Sequence, residues 1–218
     1  MKHLFLFLLT LVAFPFSYAQ QAPFQDEINQ FKQQDEQHFP PKNAILFVGS
    51  SSFRMWNDVQ SYFPGYTIIN RGFGGSTLPD VIRYAPDIIF PYHPKQIVIY
   101  CGDNDLASSD TVTAKTVFER FKTLFTMIRQ KQPNVSVVFV AIKPSPSREQ
   151  LMPKMKQANI LIQQFLKTKP HTAFADVFTP MLNDAGKPRK ELFREDMLHM
   201  KPAGYAIWQK ALQPYLLK

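Results

Sequence analysis

Near the carboxyl end, Asp196 and His199 stand three residues apart in the run Arg194-Glu195-Asp196-Met197-Leu198-His199-Met200-Lys201-Pro202. One turn of backbone can bring the carboxylate against one ring nitrogen. That contact fixes the tautomer and leaves the other nitrogen free as a base. His38, His93 and His171 have no comparable partner nearby. A hydroxyl that such a base could activate is offered far upstream by Val48-Gly49-Ser50-Ser51-Ser52-Phe53. Here Gly49 permits a tight turn and a serine can open a helix beside free backbone N–H groups. The plain alternative for this segment is a serine helix cap.

Two further loops carry hydrogen-bond donors. Asn70-Arg71-Gly72-Phe73-Gly74-Gly75-Ser76-Thr77 has three glycines in four positions, which lets backbone N–H groups approach an anion closely. It is not a dinucleotide fingerprint, because Thr77 stands where the last glycine would be needed. Cys101-Gly102-Asp103-Asn104-Asp105 places an amide after a glycine turn, where it can donate to a developing oxyanion. This loop lacks the spaced oxygen ligands and terminal glutamate of an EF-hand, so no metal site is expected.

All of these segments follow short apolar runs. Ala44 to Val48, Thr67 to Ile69, Gln96 to Tyr100, Val135 to Ile142 and, more weakly, Thr172 to Val177 are rich in Val, Ile and Phe. Their near-continuous apolarity suits strands covered on both faces of a parallel sheet. Between them, apolar residues recur every three or four positions, as in Val117, Phe121, Leu124, Phe125 and Ile128, in Met155 to Leu166, and in Pro202 to Leu216. Phe24 to His38 reads as an extra helix at the edge. The expected fold class is therefore α/β: a three-layer α/β/α sandwich on a five-stranded parallel, flavodoxin-like sheet. In such a sheet, ligands bind outside the carboxyl ends of the strands, where the four segments above lie.

The chain has 218 residues, 45% hydrophobic and 19% charged, enough for one core and too little charge for a disordered or coiled-coil protein. It opens with Lys2 and His3, an apolar run from Leu4 to Phe16 and small residues at Ser17 and Ala19. This reads as a secretory signal over residues 1–19, cleaved after Ala19, with one domain over residues 20–218. The run is too short to span a bilayer comfortably, so no stable membrane insertion is expected after cleavage. The expected location is secreted or periplasmic. Cys101 is the only cysteine, so no intramolecular disulfide is possible. Loss of Lys2 with the leader lowers the formal net charge from +8 to +7. The basic residues form no aromatic-interleaved stripe, and nucleic acid is not an expected partner.

Taken together, these motifs resemble the SGNH hydrolases, the GDSL esterase and lipase family, over about Ile45 to Tyr205. Gly49-Ser50-Ser51 matches the first family block, Asn70, Gly72 and Gly75 the second, Gly102-Asp103-Asn104-Asp105 the third, and Asp196 with His199 the last. The resemblance points to a branch similar to the platelet-activating-factor acetylhydrolases or the carbohydrate acetylesterases. It implies Ser51 as nucleophile, ahead of its neighbours Ser50 and Ser52, with His199 as base and Asp196 as its orienting partner. It also implies an oxyanion hole from the Ser51 and Gly75 N–H groups and the Asn104 amide. Ser50 stands where the family has aspartate, and a serine can still bond locally to backbone.

On this reading the chain is a secreted serine esterase acting on short-chain, mainly acetyl, esters of a carbohydrate or lipid, without metal or organic cofactor. Phe53 and Phe73 are expected to contact substrate. Phe53, Met55 and Trp56 would then narrow the acyl pocket, or else form the buried face of the first helix. The rival readings are a noncatalytic secreted module binding a glycan or anion at the same edge, and, among enzymes, a lysophospholipase or thioesterase.

Overall fold

The computed structural model describes residues 22–218, so the expected leader lies outside the described residues. The apolar runs form five parallel strands: β1 (Ile45–Gly49), β2 (Ile68–Gly72), β3 (Gln96–Tyr100), β4 (Ser136–Val140) and β5 (Thr172–Ala175). Their order is β2-β1-β3-β4-β5, the flavodoxin-like arrangement. Every residue of β1 and of β3 is buried, as near-continuous apolarity requires of strands covered on both faces.

The helices are α1 (Gln25–Gln37), α2 (Ser51–Arg54), α3 (Val59–Tyr62), α4 (Leu78–Ile88), α5 (Asp103–Ala107), α6 (Ala114–Lys131), α7 (Met152–Lys167) and α8 (Pro202–Leu212). Helices α4, α6 and α7 pack side by side on one face. The opposite face carries α8 and the segment after β1, joined by aromatic rings. Trp208 lies 5.8 Å from Phe53 and 4.7 Å from Tyr100, and Tyr205 stacks on Trp56 at 4.8 Å between ring centroids. Among the described residues no helix is long and apolar enough to cross a membrane.

Register sets the level of the strand ends. Gly49 pairs with Gly72 on one side and with Tyr100 on the other, so β1, β2 and β3 stop at one height. Ser51, Gly75 and Asn104 then follow these ends by two, three and four residues. Two glycines permit this level finish. A Cβ on Gly49 would lie 1.8 Å from the Tyr100 carbonyl oxygen, at a φ of +133°. A Cβ on Gly72 would lie 2.5 Å from the Arg54 nitrogen, so α2 can press against the end of β2.

Several boundaries differ from the sequence reading, three of them with a clear local cause. The fourth strand stops at Val140 rather than Ile142, because the Asn159 side chain takes both the N–H (2.8 Å) and the carbonyl (3.0 Å) of Ile142. The fifth stops at Ala175, where the Asp176 carboxylate accepts from the N–H groups of Phe178 and Thr179 and turns the chain. The last helix ends at Leu212 ahead of Pro214, which lies in a separate 3₁₀ turn. Helix α4, which the apolar spacing did not single out, begins at the Thr77–Asp80 capping box with Pro79 in its first turn.

Candidate active site

Ser51 opens α2 directly after the buried N-cap Ser50, so its hydroxyl projects from a helix start whose first N–H groups have no partner within the helix. Its Oγ lies 3.0 Å from His199 Nε2. The other ring nitrogen, Nδ1, lies 2.6 Å from Asp196 Oδ2. Asp196 uses its remaining oxygen to accept from the Leu198 and His199 N–H groups, both at 2.9 Å, which closes the turn and fixes the imidazole. Burial is the largest single influence on this carboxyl and pushes it up. The bonds from the His199 ring and the two N–H groups together outweigh it and carry the pKa from 3.8 to about 2.

The neighbouring serines are engaged elsewhere. Ser50 is 1% exposed and its Oγ accepts from Asn104 Nδ2 at 2.7 Å, while Ser52 is buried beneath the Tyr205 hydroxyl bond to its carbonyl. Among the three hydroxyls, the structure brings that of Ser51 to the imidazole.

Gly75 and Asn104 meet across the strand ends: a Cβ on Gly75 would lie 3.8 Å from Asn104 Nδ2. The Asn104 amide nitrogen also donates to the Ser76 carbonyl at 3.1 Å, so an oxyanion must draw one N–H off Ser50 or Ser76. Where the family has aspartate, the neutral Ser50 hydroxyl holds that N–H less tightly than a carboxylate does. The loop bearing Gly75 is secured at both ends. The Gly74 N–H donates to Glu27 of α1 at 3.1 Å, and the Leu78 N–H donates to the buried Asp105 at 2.9 Å. Asp105 is in turn paired with Arg120 at 2.7 Å. One of the glycine-loop donors is therefore committed to Glu27.

Phe53 and Phe73 are corrected by the structure. Both are 0% exposed. Phe53 packs among Phe47, Tyr100 and Trp208, and Phe73 packs edge-on against Phe24 and Tyr84. Neither offers a surface to substrate. Of the two readings of the post-serine aromatics, burial in the core is the one found: Phe53 on α2 and Trp56 just after it are both 0% exposed.

Sequence reasoning passed over the loop after β4. Lys143, Pro144, Ser145, Pro146, Ser147 and Arg148 leave the sheet at the same edge as the other site loops. Arg148 Nη2 donates to Asn104 Oδ1 at 2.9 Å, and its Nη1 lies 3.1 Å from Asp103 Oδ2. Lys143, 1% exposed, lies 3.4 Å from the same oxygen. Burial alone would raise the Asp103 carboxyl; Lys143 and Arg148 outweigh it and hold it below its ordinary value. The Ser147 N–H and hydroxyl both donate to the Met197 carbonyl, at 3.1 and 3.0 Å, inside the turn that carries Asp196 and His199. A strand-end rule applied to β4 as it was to the other strands would have pointed to this segment.

The arrangement has the parts for nucleophilic attack on a carbonyl: a hydroxyl, a base oriented by a carboxylate, and donors beside the nucleophile. Comparison with known proteins agrees. The model of the GDSL-like Lipase/Acylhydrolase family matches residues 47–207. No curated protein sequence matches the chain. Among solved structures, a candidate platelet activating factor from Streptococcus pneumonia is 22% identical with a TM-score of 0.76, covering 88% of this chain and 92% of that one. A GDSL-like lipase from Bacteroides thetaiotaomicron VPI-5482 is 17% identical with a TM-score of 0.73, covering 86% and 95%. A mutant of an acetyl-xylooligosaccharide esterase from Geobacillus Stearmophilus is 16% identical with a TM-score of 0.64, covering 81% and 95%. At these identities the structural likenesses speak for the fold. With three quarters of its length matched by the family model and its strand-end loops carrying the family motifs, this chain belongs to the GDSL-like lipase/acylhydrolase family and is an ester hydrolase.

Proposed function

We propose that the chain is an exported serine esterase that removes acetyl or other short acyl groups from a hydrophilic alcohol, through Ser51, His199 and Asp196. The continuous hydrogen-bond chain from Ser51 Oγ through both His199 ring nitrogens to Asp196 carries this reading. Ser51 attacks the ester carbonyl as His199 Nε2 takes its proton, since an alcohol is a poor nucleophile at neutral pH without an adjacent base. Asp196 stabilises the imidazolium that forms. The tetrahedral oxyanion is received by the Ser51 and Gly75 N–H groups and Asn104 Nδ2. His199 then returns the proton to the departing alkoxide, releasing the alcohol, and water repeats the sequence on the acyl-enzyme.

The choice of a hydrophilic alcohol is supported by the surroundings of Ser51. Arg54 lies one helical turn from Ser51 on the same face of α2 and is paired with Glu27 at 2.8 Å. Arg54 also lines an adjoining cavity of about 430 Å³, with Gln30, Gln34, Asn57 and Phe31, whose walls do not include Ser51 or His199. Amides and charges beside one ring suit the hydroxyls and apolar face of a sugar. The esterase from Geobacillus Stearmophilus, which acts on acetyl-xylooligosaccharides, supports the same class. Export is supported by the leader-like residues 1–19.

A series of aryl esters from acetyl to decanoyl, followed by acetylated xylo-oligosaccharide and lysophospholipid, tests the proposal. The acetyl ester and the oligosaccharide are expected to turn over fastest. Best turnover on decanoyl esters or on the lysophospholipid overturns the short-acyl assignment. A fluorophosphonate probe is expected to label the parent chain and not Ser51→Ala; labelling retained in that variant overturns the nucleophile.

A further inference from the structure

We propose that Arg148 is a positioning residue for acyl transfer, holding the Asn104 amide so that its nitrogen faces the oxyanion and backing it with charge. The inference rests on the serine esterase reading above and extends it to the loop after β4.

The two ends of an asparagine amide are nearly equal in size and opposite in role: Oδ1 accepts and Nδ2 donates. A guanidinium only donates. With Arg148 Nη2 at 2.9 Å, that end of Asn104 must be the oxygen, and a turned amide would bring donor against donor. The Ser76 carbonyl, acceptor only, makes the matching demand at the nitrogen end at 3.1 Å. The amide is thus gripped at both ends, but the grip on its oxygen is the charge-assisted one. Electron density drawn toward the guanidinium makes the Nδ2 hydrogens better donors to a developing negative charge.

Arg148 is itself immobilised. Its second nitrogen lies 3.1 Å from the buried Asp103 carboxylate, which also faces the buried Lys143 ammonium. Two cations against one carboxylate leave a net positive charge beside the oxyanion donor, largely shielded from water, where such a charge counts for more than at the surface. Ser147, the adjacent residue, grips the Met197 carbonyl in the His199 turn. One short segment therefore spans from the donor side of the site to the base side.

The test uses the full chain, an aryl acetate substrate and the variants Arg148→Ala and Arg148→Lys. Removal of the guanidinium is expected to lower kcat by about 10- to 100-fold while KM changes by less than about threefold, since the contact acts on the transition state. Affinity for phenylboronic acid, which forms a tetrahedral adduct on a serine hydroxyl, is expected to fall with kcat. Free guanidinium at millimolar concentration is expected to restore part of the rate in Arg148→Ala, because the Arg148 side chain is 17% exposed and its place is reachable from solvent. Arg148→Lys keeps a cation against Asp103 and is expected to retain more of the rate than Arg148→Ala; if Arg148→Ala fails to fold, Arg148→Met carries the kcat and KM criteria. A kcat within threefold of the parent, a loss confined to KM, or a loss that guanidinium leaves untouched overturns the proposal. Ser51→Ala assayed alongside separates the two levels. An active Ser51→Ala removes the esterase reading itself, whereas an inactive Ser51→Ala with a fully active Arg148→Ala removes only the role of Arg148.

Discussion

The Ser51 hydroxyl oxygen and His199 Nε2 are 3.0 Å apart across 148 residues of sequence. On the proposed mechanism the two act as one unit, so their losses should not add. Ser51→Ala and His199→Ala are each expected to lower kcat on an aryl acetate by more than about 10⁴-fold, and the double variant by little beyond either. Losses that multiply in the double variant would separate the two residues functionally.

Asn104 and Ser50 share one hydrogen bond but differ in what they offer the oxyanion. Asn104→Ala removes a donor and is expected to cost on the order of 10²–10³ in kcat. Ser50→Ala removes only a resting acceptor for that donor. It should keep kcat within about tenfold of the parent and lose about 1 kcal/mol in urea unfolding. The reverse ranking of the two variants in steady-state assays would move the oxyanion donor away from Asn104.

Asp196 links the His199 turn to pH. Its carboxyl is at about 2 when folded against 3.8 ordinarily, so between these values the unfolded chain binds more protons than the folded one. The stabilisation is complete above 3.8 and is lost as pH falls through about 2. Because the side chain is 47% exposed, screening holds the effect to about 1 kcal/mol or less. Urea midpoints of the parent and Asp196→Asn should differ at pH 5 and converge toward pH 2. A constant difference across that range would contradict the hydrogen-bonded carboxylate. At pH 8, Asp196→Asn is also expected to lower kcat by 10²-fold or more, on the order seen when a triad carboxylate is lost.

Gly49→Ala tests the level finish of the strands. With its Cβ placed 1.8 Å from the Tyr100 oxygen, and at a φ that L residues avoid, this variant is expected to lose at least about 3 kcal/mol of stability or fail to fold. A thermal midpoint equal to the parent would mean that β1 can end elsewhere.

Lys143, Asp103 and Arg148 form a buried charge cluster, and breaking it from one side strands an ion. Asp103→Asn leaves two facing cations without their carboxylate and is expected to cost about 3 kcal/mol, and Lys143→Met in the same chain to recover part of that loss. Additive losses in denaturant unfolding would show that the two residues do not act as a pair.

The sheet was legible because Val, Ile and Phe run without polar interruption in strands that helices cover on both faces. The contact of Ser51 with His199 and Asp196 was legible because Asp196 and His199 meet through local spacing and the family blocks point to Ser51. What escaped notice were groups whose role depends on distant partners. Nothing beside Arg148 in sequence announces Asn104, 44 residues away, and Glu27 reaches Gly74 across 47 residues. Phe53 and Phe73 were misassigned for the same reason, since adjacency to a strand-end loop does not say which way a ring points. They point inward, and the rings of Trp208 and Tyr84 account for it.

Helix α1 contributes no atom to bond making, yet Glu27 holds the Gly74 N–H and Arg54 at once, and Asp35 binds the buried Arg71 at the end of β2. The amino-terminal helix is thus a clamp on the donor loop. Sequence drift along it offers a route by which turnover can be tuned while every reacting group stays the same.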